Sequence, residues 1–162
     1  MVRTFKSAAS ICVDAIVTGC GAPSDADLLR HLRTHQRDFA EMTLLLERTP
    51  SLRSISRENL DSMVPGAPDL ARWRHALVSA GVLNASFLPY ARDEAAGWCF
   101  RYGRYDLGSS QLEYGFCRPL KPLLGFALRR GTWVRSDDPS RYGVLEYLDA
   151  GDGWLIYRED LP

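Results

Sequence analysis

The stretch that decides the fold is 97–118, GWCFRYGRYDLGSSQLEYGFCR. Trp98, Phe100 and Tyr102 alternate with Cys99 and Arg101, and Leu112, Tyr114 and Phe116 alternate with Glu113 and Cys117. A period of two is the mark of a strand, because successive side chains leave the pleat on opposite faces. Between the two runs, Gly108-Ser109-Ser110 supplies turn residues. Pairing the runs symmetrically about Gly108 sets Phe100 against Phe116, Tyr102 against Tyr114 and Cys99 against Cys117. All the large aromatics then share one face, so the register is self-consistent.

Working outward, the C-terminal segment repeats the pattern. YGVLEYL, the turn DAGDG and then WLIYRE read as a tight hairpin. On the N-terminal side, SFLPY reads as an edge strand that Pro89 confines to the rim. Before it the period changes. Leu28, Leu32, His35, Phe39, Met42 and Leu46 recur at spacings of four and three, one stripe of a long amphipathic helix. Ser24-Asp25-Ala26-Asp27 starts this helix as a capping box with Asp in place of Glu, and Thr49-Pro50 stops it. A second helix is expected over 69–80, with Leu70, Trp73 and Leu77 inward and Gly81 in the left-handed position after its end. Residues 50–68 show no period and hold three of the nine prolines, so they read as a loop. The expected class is α+β, with two main helices packed on an antiparallel sheet of about four to five strands.

Formal net charge is zero over 162 residues, so no global basic field draws the chain to nucleic acid. Of the cationic side chains only Lys6 and Lys121 are lysines; the rest are arginine. Ahead of the helices, Arg3 and Lys6 precede a moderately apolar stretch from Ala8 to Val17 and the sequence VTGC at 17–20. That order reads as a secretory leader over 1–19, leaving 20–162 as a single α+β domain. Asp14 interrupts the apolar stretch, where a charge is costly, and makes the leader atypical. The alternative reading is a cytoplasmic chain with an N-terminal helix and a buried Cys20.

VTGC, the Gly/Pro tether after it, HLRTHQRDFAEMTLLL, LRSI, ARWRHALVSAGV, GSS and YGVLEYLDAGDGWLIYRE form one pattern across most of 16–159. In this pattern the chain resembles an uncharacterised family of small bacterial lipoproteins. The resemblance implies cleavage after Gly19 and a lipid on the Cys20 thiol, hence a membrane anchor in the cell envelope facing the periplasm. It implies no assigned activity and no catalytic residues, and no cofactor is expected.

Four cysteines are present. Removing the leader takes Cys12, and lipid consumes Cys20. Cys99 and Cys117 remain, opposed across the sheet at a spacing a disulfide can close. They are either bonded, in an oxidising compartment, or two packed thiols. His31 and His35 are four apart on a helix, a spacing that suits zinc, with His75 as the only further histidine; no HExxH motif accompanies them, so helix-interface packing is the competing role. Ser109 and Ser110 lack the GxSxG elbow and a histidine in the strand region, so they read as turn residues. GRYDLG is not a phosphate loop, and its Arg104 reads as an exposed cation. Trp98, Tyr102, Tyr105, Tyr114, Trp133, Trp154 and Tyr157 are either the core face of the sheet or a groove. On the second reading Trp98, Tyr102, Tyr114 and Trp154 are the candidate partner surface. The expected function is thus a non-enzymatic envelope lipoprotein binding a protein or small ligand, with no metal. An immunity-type interaction protein, cytoplasmic or periplasmic, is the alternative, and a hydrolase built on His31 and His35 comes third.

Overall fold

The structure, a computed structural model, describes residues 22–49, 51–60, 69–88, 97–106, 108–120, 131–135 and 143–162. The leader and Cys20 lie outside the described residues. Ser24 caps helix α1 (Asp25–Thr34): its Oγ accepts from Asp27 N at 3.2 Å, while its own N–H donates to Asp27 Oδ2 at 3.3 Å. The shorter Asp closes the box expected of Glu.

The single long helix read from the stripe is two helices. α1 gives way to α2 (Gln36–Glu47) at His35, whose backbone leaves the helical region at φ −106°, ψ 20°. Thr34 Oγ1 donates back to Arg30 O at 2.9 Å, a bond that bends helices by drawing a carbonyl off the axis. Backbone bonding continues through the bend, with His35 N to His31 O and Phe39 N to His35 O both at 3.0 Å. Leu28, Leu32, Phe39, Met42 and Leu46 are buried as one stripe despite it.

Helix α3 (Leu70–Ser79) buries Trp73, Ala76 and Leu77. It ends in a Schellman turn: Val82 N reaches Leu77 O at 3.0 Å, Gly81 N reaches Val78 O at 3.1 Å, and Gly81 has φ +66°. Val82 is fully buried, which anchors the turn.

Among the described residues the sheet has seven antiparallel strands rather than four to five: β1 (Ser54–Ser56), β2 (Asn84–Leu88), β3 (Gly97–Asp106), β4 (Gln111–Pro119), β5 (Trp133–Arg135), β6 (Val144–Gly151) and β7 (Trp154–Leu161). Their order is β1-β2-β3-β4-β7-β6-β5. The two additional strands, β1 and β5, span three residues each, too short to display alternation. Because β1 pairs outside β2, the SFL segment is not an edge. The closing strand β7 lies between β4 and β6, so Ile156 opposes both Phe116 and Leu148. Between β6 and β7, Asp152 and Gly153 both take positive φ (54° and 77°), the two-residue turn that suits the strand twist.

The helices cover one face of the sheet. Phe39 is fully buried and meets Phe116, Trp154 and Phe100 edge-on, at centroid distances of 5.0, 5.4 and 5.6 Å. A smaller cluster of Cys99, Cys117, Leu145, Tyr147, Leu155 and Tyr157 lies on the opposite face. No helix among the described residues is long and apolar enough to cross a membrane.

Candidate functional site

The helices laid over one face of the sheet settle where each aromatic goes. Trp98, Tyr114 and Trp154 are buried beneath the helices and Tyr102 is half-buried against His31. They belong to the core face, and the partner surface read from the four together is corrected: their rings pack inside the domain, Trp154 on Phe39, Tyr102 on His31, Trp98 on Phe87 and Tyr114 on Tyr105, and of the four Trp154 also borders a surface hollow. The register holds Phe100 opposite Phe116 and Cys99 opposite Cys117, but Tyr114 opposes Gly103. A bulge at Tyr102 absorbs the half-residue offset of the loop and leaves both Tyr102 and Tyr105 on the helix side.

Cys99 and Cys117 are joined by a disulfide with Cα atoms 4.1 Å apart, on the face away from the helices. Beside it, Gly115 opposes both Arg101 and Tyr157. A Cβ there would strike the Phe100 carbonyl and the Tyr157 ring, so only glycine fits. Arg101 Nη1 donates to Glu113 Oε1 at 2.9 Å, and Arg104 Nε stands 3.8 Å from the same oxygen. A shallow hollow of about 180 Å³ lies over this row.

A larger hollow, about 230 Å³, opens between α1 and the β6–β7 turn. The helical period turns Leu29 and Leu32 toward the sheet, where Ala150 and Trp154 complete an apolar floor. Arg33, Gln36, Asp149 and Asp152 form its polar rim. Asp149 Oδ1 accepts from Gly151 N at 2.9 Å, which fixes that carboxylate beside the turn. The left-handed Asp152 holds a second carboxylate at the tip. Neither Arg33 nor Asp152 has a salt-bridge partner among the described residues. This hollow was not legible in the sequence, because it joins 29–36 to 149–154, and only the DAGDG turn hinted at one wall.

His31 and His35 stand side by side, but His75 does not join them. His31 Nε2 donates to Ala80 O at 2.8 Å, and its ring packs against Tyr102 and His35 at 4.3 and 4.5 Å. Burial, aided by the charge of His35, holds its pKa below the usual imidazole value, while the bond to Ala80 opposes that shift. His35 Nδ1 pairs with Asp38 at 3.1 Å, and His75 is exposed on α3, near Ser79. Among the described residues no three His, Cys, Asp or Glu side chains are grouped as a metal site. Ser109 is exposed and Ser110 half-buried in the β3–β4 turn, and Arg104 is exposed.

Trp133, the edge-strand aromatic, donates from Nε1 to Asp25 at 2.9 Å and lies under Arg158, 4.3 Å from the guanidinium. It ties the start of α1 to the sheet. The chain matches no protein-family model, no curated protein and no solved structure.

Proposed function

We propose that the chain is a non-enzymatic lipoprotein of the cell envelope, anchored through Cys20 and binding a small ligand or protein segment with its folded domain. The observation that carries this reading is the direct opposition of Cys99 and Cys117. Those two side chains have a use for each other in an oxidising compartment. With Cys12 in the leader, Cys20 is then left for lipid, in the sequence VTGC. Ser24 caps the first helix four residues after Cys20, so a short tether would hold the domain close to the membrane. The groove between α1 and the β6–β7 turn supports a binding role, since it combines an apolar floor with a few polar groups.

Fractionation with labelled fatty acid tests the anchor. The protein is expected in the envelope membranes, resistant to a salt wash, with label on Cys20. Cys20→Ala is expected to accumulate as an uncleaved, unlabelled precursor. Non-reducing mass analysis is expected to find Cys99 and Cys117 bonded. Unlabelled protein in the cytoplasm with residues 1–19 retained and free thiols would overturn the reading and favour the intracellular immunity-type alternative, to which Asp14 in the leader points.

A further inference from the structure

We infer that the groove between α1 and the β6–β7 turn binds a free α-amino acid with an apolar side chain. This rests on the reading of the chain as a binding protein and names the ligand of that groove. Three observations lead there. The volume, about 230 Å³, falls below the ~300–1,000 Å³ of pockets for drug-sized ligands, so the occupant is small. The floor of Leu29, Leu32 and Trp154 is apolar, and a ligand without a hydrocarbon part gains nothing from it. The rim decides the charge. Arg33 offers a guanidinium, whose paired donors match a carboxylate, and it has no salt-bridge partner among the described residues. Across from helix α1, the turn offers Asp149 and Asp152.

Two carboxylates and one guanidinium exclude a simple anion. A fatty acid or a phosphate would satisfy Arg33 but meet uncompensated negative charge at the turn. A plain amine would leave Arg33 unused. A zwitterion meets both signs, with its carboxylate on Arg33, its ammonium on the turn carboxylates and its side chain on the leucines and Trp154. Asp149 is suited to this because one oxygen is already held by Gly151 N–H, which fixes the other in place. The left-handed backbone at Asp152 serves the same end, since it sets the direction of the second carboxylate without a flexible loop.

The test uses the full-length protein in detergent, with leucine, N-acetyl-leucine, leucinamide and glycine as probes and backbone amide shifts of Gly131, Ala150 and Gly151 as the readout. Leucine is expected to shift these amides saturably. N-acetyl-leucine lacks the ammonium and leucinamide lacks the carboxylate, and each is expected to bind at least about tenfold more weakly, the value of one charge-assisted contact. Glycine keeps both charges but lacks the tail, and is expected to bind at least about tenfold more weakly through the lost apolar burial. Arg33→Gln and Asp152→Asn are expected to weaken leucine to the same extent while leaving the urea midpoint unchanged. Asn tolerates the left-handed backbone at 152, so that variant tests the charge alone. No saturable shift with millimolar leucine, or equal binding of N-acetyl-leucine, would overturn the assignment; the second outcome would mean that the groove takes the C-terminus of a peptide. Neither result bears on the labelling of Cys20, so failure of this site and failure of the anchor are separately visible.

Discussion

Phe39→Ala is the most direct test of how the helices are held. Phe39 sits at mid-stripe on α2 and is fully buried. Its ring meets Phe116, Trp154 and Phe100 edge-on, with interplanar angles of 66°, 64° and 75°. Truncating a buried Phe costs ~3–5 kcal/mol through lost transfer energy and the cavity left behind. Aromatic pairs in this geometry are worth ~0.5–1.5 kcal/mol each beyond their area. Three such pairs place the loss toward the upper end, about 4–5 kcal/mol. With a urea slope of ~2 kcal/mol/M the midpoint should fall by roughly 2 M. Since total stability is only ~5–15 kcal/mol, Phe39→Leu gives a variant certain to be measurable. It keeps most of the volume, forfeits the three ring contacts and should lose about 2–4 kcal/mol. The control is Arg37→Ala on the exposed side of the same helix, expected within ~0.5 kcal/mol. If Phe39→Ala costs no more than Arg37→Ala, the buried face has been assigned wrongly and helix propensity, not packing, holds α2.

Gly115→Ala should be costly although it adds one methyl, because the Phe100 carbonyl in its way is backbone and cannot swing aside. A loss of ~2–3 kcal/mol is expected, roughly 5–10 °C in a thermal scan; an unchanged midpoint would show that the Tyr157 ring and β3 yield freely. His31 has a depressed pKa in the fold, so the unfolded chain binds more protons below the ordinary histidine value of ~6.5. Its contribution is therefore fully present above that pH and is lost as pH falls through the folded value. His31→Gln, which keeps a donor for Ala80, should flatten the fall in urea midpoint between neutral and mildly acid pH; an identical fall in both proteins would assign it to other groups.

Much of this fold is legible in the residues, and the reasons differ by element. The stripe from Leu28 to Leu46 and the alternation through 97–118 are local periodicities, and burial of one face is enough to turn each into a helix or a strand. The Ser24–Asp27 cap, the Gly81 turn and Asp152-Gly153 are local too, because their chemistry closes within a few residues. Cys99 and Cys117 could be set opposite one another from parity alone. What only the tertiary structure decided is non-local. β1 and β5 are three residues long and exist because β2 and β6 offer them an edge. β7 pairs with β4 as well as with its hairpin partner β6, and no hairpin rule contains the pairing with β4. The bulge at Tyr102 corrects a loop whose length does not match the symmetric register. For the same reason the aromatics Trp98, Tyr114 and Trp154 could be read either as core or as a surface until the helices were placed over them. The groove depends on that placement as well. Leu29 and Arg33 lie far in sequence from Asp149 and Asp152, and neither pair has a pattern of its own. Periodicity reports which face of an element is buried, but only packing reports what that face is buried against, and a site made at the join of two elements belongs to the packing.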